Sequence, residues 1–191
     1  MAEVALIVLA PLIIGALLAA ASRRLGRGAS WALAVAALAT SLASAVCSVL
    51  HGGSQFEAPW GAGGPIDFSL LLAVDGLSAP FILAASAISL ACLVYSVGYV
   101  AERPQTYAGL FLLFASGILG CLASLDMLSF YLFWELMVWS SYALIRLYGE
   151  REDAGRISLM YLLISHLASS TLLFGFLTIH ALRGTFNMAE V

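Results

Sequence analysis

The chain has 191 residues, 62 % of them hydrophobic and 10 % charged, with a formal net charge of −3. Soluble domains average roughly 45–50 % apolar and about 25 % charged residues, so the composition excludes a soluble domain and indicates a membrane-embedded one. No basic patch interleaved with aromatics is present, which argues against nucleic acid as a partner.

A transmembrane helix needs about 20 apolar residues. Runs of that kind fall at 4–21, 30–50, 77–100, 107–124, 127–147 and 155–182. They predict an all-α, polytopic helix bundle of six spans forming one transmembrane domain over 1–191. The first run has only Glu3 before it, and Arg23, Arg24 and Arg27 after it. That order suits a retained helix with its N-terminus outside rather than a signal peptide.

The second run is rich in small residues, as is the sixth, and small residues let helix backbones approach closely in lipid. Between the second and third runs, 51–75 is rich in glycine and proline. Within it Pro65-Ile66-Asp67-Phe68-Ser69-Leu70 alternates apolar and polar positions, as a half-buried strand does. A short external hairpin-like segment is expected there. Asp75 ahead of the third run and Asp126 ahead of the fifth are read as N-caps. Pro80 fits the first turn of the third helix, which Glu102-Arg103-Pro104 ends. The charged run Glu150-Arg151-Glu152-Asp153 ends the fifth. Cys47, Cys92 and Cys121 lie in apolar runs without any CxxC pairing, and are read as small buried residues.

The arginines set the orientation. With the N-terminus outside, the inner loops carry Arg23, Arg24, Arg27, Arg103, Arg146, Arg151 and Arg156, and the outer loops only Arg183. This positive-inside pattern places both ends outside.

Glu135 stands near the middle of the fifth run. A carboxylate at that depth costs about 2.5–3.5 kcal/mol on insertion scales, so such residues face the bundle interior and mark ion pathways. Tyr131 and Trp139, four residues either side, and Tyr142, seven beyond, share its helical face. Burial favours a carboxyl's neutral form and a neighbouring cation its charged form. A group held between the two can relay a proton. On the sixth run His166, with Ser165, Ser169 and Ser170 close in sequence, is a second relay candidate. A packing role is open to both residues. Histidines, cysteines and carboxylates nowhere show metal-ligand spacing, and no nucleotide-binding glycine motif occurs. No cofactor is expected on this chain.

Three stretches carry a resemblance: Val74-Asp-Gly-Leu-Ser-Ala79; Phe133-Trp-Glu-Leu-Met137 with Ser141-Tyr-Ala-Leu-Ile145; and Tyr161-Leu-Leu-Ile-Ser-His166. They resemble the antiporter-like subunits of complex I, Mrp antiporters and membrane-bound hydrogenases. Within that family they are most similar to hydrogenase-4 component B and its formate hydrogenlyase counterpart. The resemblance implies a proton-translocating subunit of a redox-driven complex in a bacterial or archaeal cytoplasmic membrane, with other membrane and peripheral redox subunits as partners. An Mrp-type sodium/proton antiporter subunit and a structural subunit that does not pump are the alternatives. The family's fifth-helix glutamate maps onto Glu135 and the sixth-helix histidine of its hydrogenase-like branch onto His166. The family has about fourteen helices and places a lysine opposite the glutamate on a later one. This chain has no lysine, so the resemblance implies that the partner lies on a further stretch or on a second chain.

Overall fold

The computed structural model describes residues 2–20, 26–59 and 69–191. Six helices and one hairpin follow in order: α1 (Ala2–Ala20), α2 (Arg27–Leu50), β1 (Ser54–Pro59), β2 (Ser69–Val74), α3 (Ser78–Tyr99), α4 (Pro104–Ala123), α5 (Met127–Tyr148) and α6 (Ala154–Arg183). All six helices are long and apolar enough to cross a membrane. Two begin three residues earlier than expected. Arg27 and Gly28 join α2, and Pro104 opens α4 as its first residue, a position where a missing N–H costs nothing.

α4 is the most enclosed helix and packs against α1, α2, α3 and α5. Its glycines permit this. A Cβ on Gly109 would lie 2.6 Å from the Ala19 backbone nitrogen, and one on Gly117 2.8 Å from that of Met137. The tightest approaches therefore fall on α4 rather than on the small-residue helices α2 and α6. Leu18, Trp31, Leu38, Leu93, Ala108 and Leu112 form one half of the core; Val4, Ile7, Leu72, Ile82, Leu119 and Phe133 form the other. α6 packs chiefly against α5 and is the least enclosed helix. Cys47 and Cys92 are exposed on the chain's surface rather than buried, and Cys121 is half-buried.

β1 and β2 pair antiparallel with Ser54 opposite Val74 and Pro59 opposite Ser69. The second strand thus lies later than the alternating pattern suggested, in the continuous apolar run to Val74. Its buried end packs on the helices, which is why alternation fails there. The expected strand residues 65–68 fall outside the described residues, as do Arg23 and Arg24 of the orientation argument.

The hairpin is stitched to the helix ends beside it. Leu125 N donates to Leu71 O (2.9 Å), Met127 N to Phe186 O (3.0 Å) and Met188 N to Leu125 O (2.9 Å). Asp126 caps α5, its Oδ1 accepting from Leu128 N (3.0 Å) and Ser129 N (2.8 Å). Asp75 precedes the cap residue Leu77, yet its Oδ1 accepts from Leu77 N and Ser78 N while Ser78 Oγ accepts from Asp75 N. The Ser78 N–H, then its hydroxyl, hold the Asp75 carboxyl below the usual carboxylate range. Its help to α3 is therefore present above that range and lost as pH falls through the lowered value.

At the opposite face Arg27 donates to Val97 O and Val100 O (3.4 and 3.3 Å). Tyr148 OH donates to Arg103 O (2.8 Å), pinning the turn where Arg103 adopts a left-handed φ of 44°.

Candidate proton-relay site

α5 places Glu135 near its midpoint, on the side facing α6. Two α6 residues meet the carboxylate. Ser169, 1 % exposed, donates its hydroxyl to Oε1 at 2.5 Å. His166 Nδ1 lies 3.0 Å from Oε2. Oε2 makes no hydrogen bond among the described residues, so the imidazole nitrogen is close but out of line with a ring N–H, and the contact is an ion pair only when His166 is protonated. The Tyr131 phenol interacts with both Glu135 and Ser169.

The sequence placed these groups on two separate helices, and the α5–α6 seam brings them together. Trp139 touches His166 rather than the carboxylate, with ring centroids 6.1 Å apart and planes at 75°. Tyr142 packs edge-on against Trp139 at 6.2 Å and so stands one residue back from the Glu135–His166 contact. The pair is unevenly enclosed: 14 % of the Glu135 side chain is open, against 47 % of the His166 side chain.

Sequence reasoning missed the aromatic layer between this cluster and the hairpin face. Phe130 stacks near Trp134 (5.9 Å) and meets Phe176 of α6 edge-on (6.2 Å). Phe176 lies seven residues beyond Ser169, and that spacing was the available signal. The other histidines are elsewhere. His51 contacts Glu3 at 3.2 Å, and His180 stacks flat on Phe186 at 4.0 Å. Among the described residues no group of three His, Cys, Asp or Glu is arranged to hold a metal ion.

Chemically the cluster joins a carboxyl and an imidazole to a hydroxyl and a phenol inside an apolar bundle.

Two family profiles match the chain. "NADH:quinone oxidoreductase/Mrp antiporter, TM" covers 124–191, and "NADH-Ubiquinone oxidoreductase (complex I), chain 5 N-terminus" covers 60–108. The chain belongs to the antiporter-like family of complex I and Mrp membrane subunits. Members similar to it include NADH-quinone oxidoreductase subunit N of Desulforudis audaxviator, 32 % identical over 172 residues, covering 86 % of this chain and 33 % of the relative. A putative antiporter subunit mnhA2 of Staphylococcus haemolyticus is 31 % identical over 166 residues, covering 82 % and 20 %.

Among solved structures, a chain of Thermus thermophilus respiratory complex I with bound NADH superposes with a TM-score of 0.80 at 30 % identity, covering 98 % of this chain and 38 % of that one. A chain of the Mrp complex from Dietzia shares the fold with a TM-score of 0.81 at 23 % identity, covering 98 % and 20 %. The chain thus spans a third or less of the curated relatives it matches.

Proposed function

We propose that this chain is part of a proton-translocating membrane subunit in which Glu135 is the mid-membrane relay and His166 its first exchange partner. The observation that carries the reading is the Glu135–His166–Ser169 cluster on the seam of two transmembrane helices. A proton on Glu135 can pass to His166 Nδ1 once the ring turns into line, and leave by the other ring nitrogen. Ser169 and Tyr131 steady the carboxylate. No redox step falls on this chain. A partner complex drives the exchange, and other membrane and peripheral subunits supply the electron path. A cation opposite Glu135, a lysine in the resemblance, belongs on a further stretch or a second chain.

The motif resemblance favours a hydrogenase or formate hydrogenlyase complex as the setting, with an NADH–quinone complex second. The arginine placement supports a cytoplasmic membrane location with both ends outside. The test is Glu135→Gln in the assembled complex, assayed for proton movement in everted membrane vesicles. Proton movement is expected to fall to background while the complex stays in the membrane. Undiminished movement would remove Glu135 from the path, and full activity in Glu135→Leu would point to a structural subunit.

The second reading is a secondary cation/proton antiporter. It is favoured by the match to the Staphylococcus antiporter subunit. Vesicles given a sodium or potassium gradient and no electron donor separate the two. Cation-driven proton movement selects the antiporter, and dependence on donor and acceptor selects the redox complex.

A further inference from the structure

We infer that Trp139 is a positioning residue that holds the His166 imidazole against Glu135; this rests on the relay reading above. The ring makes one ion-pair contact and one aromatic contact among the described residues: Glu135 at Nδ1 and Trp139 edge-to-face. Both come from α5, one helical turn apart, so together they form a clip around a side chain projecting from α6. The ring separation of 6.1 Å lies in the range where tilted aromatic pairs attract. Tyr142 backs Trp139 edge-on from the next turn.

Among the described residues the imidazole has no other ion pair or ring contact. Ser170 donates to the His166 carbonyl (2.7 Å), and the Ser169 hydroxyl, given to Glu135, lies 3.1 Å from the same oxygen; these contacts are to the backbone and not to the ring. Nearly half of the side chain is open. Without the indole the ring could swing away and leave Oε2 with no partner.

Interfacial anchoring does not account for Trp139. Tryptophans collect where a helix meets the headgroups, whereas Trp139 lies next to the midpoint of a helix running from Met127 to Tyr148.

The experiment compares Trp139→Leu and Trp139→Phe, each in the wild-type and His166→Ala backgrounds, in everted vesicles holding the assembled complex, with rates normalised to complex present. Trp139→Leu is expected to slow proton movement several-fold, Trp139→Phe to restore most of it, and Trp139→Leu to add no further loss once His166 is alanine. An equal fractional loss in both backgrounds, no loss in Trp139→Leu, or a phenylalanine as poor as leucine would each overturn the assignment. A second readout is independent of rate. A protonated imidazole quenches a neighbouring indole, so the emission difference between wild type and Trp139→Phe should vary with pH and lose that variation in His166→Ala. Equal pH dependence with and without His166 overturns the contact. Glu135→Gln is run in parallel. Its loss of pumping together with additive Trp139 and His166 effects sinks the Trp139 assignment and spares the relay, and retained pumping in Glu135→Gln sinks the relay itself.

Discussion

Asp126 and Glu135 occupy the same helix, and each is kept there by different donors. Asp126 is 4 % exposed and gives one oxygen to two backbone N–H groups that α5 cannot otherwise satisfy. Among the described residues Glu135 has no backbone donor, and it relies on Ser169 and His166 from the next helix. The first arrangement is local and was readable from an acidic residue just ahead of an apolar run. The second was half readable. The position of Glu135 in its run announced an interior role, but nothing in the sequence paired it with Ser169 over Ser165 or Ser170. That choice depends on how α6 is rotated against α5. Asp126→Ala is expected to lower the stability of the detergent-solubilised complex by about 0.5–2 kcal/mol, the usual cost of a lost N-cap. Asp126→Asn should keep most of it, since the amide oxygen accepts the same two bonds. Thermal midpoints of the three proteins check this, and equal losses for Asn and Ala would assign Asp126 a role for its charge.

At the scale of the element, the apolar runs fixed the number of helices because no other structure satisfies the backbone in lipid. The boundaries slipped by a turn or less where Arg27 and Pro104 continue the helix beyond the apolar residues. Packing was less legible. Counting small residues pointed to α2 and α6, but the contacts that matter are glycines of α4 facing specific backbone atoms. Gly117 sits over Met137, two residues from Glu135. Gly117→Ala should push α4 and α5 apart and cost about 1–3 kcal/mol, the usual range for overpacking. Gly98→Ala on α3 meets no atom within 4 Å and serves as the neutral control. Thermal unfolding of the two variants would decide it. A Gly117→Ala protein as stable as Gly98→Ala would mean that α4 and α5 are not locked at this point.

At the scale of the whole molecule, α6 presents one face to α5 and leaves Leu163, Ile164, Leu167 and Phe174 more than half exposed. Apolar side chains alone would be at home in lipid. His166 stands among them, and an ionisable group at that depth is costly in hydrocarbon. The proposed relay therefore needs protein, not acyl chains, against this face, and the matched relatives are about three or more times longer than the part the chain covers. A photo-crosslinking amino acid at Leu167, activated in native membranes, is expected to yield a protein adduct whose mapped peptide carries a lysine or arginine. The same probe at Ile88, exposed on α3, supplies the comparison. A lipid adduct alone at both positions would put His166 at the bilayer. Glu135 and His166 would then have to form the exchange pair without a third charge.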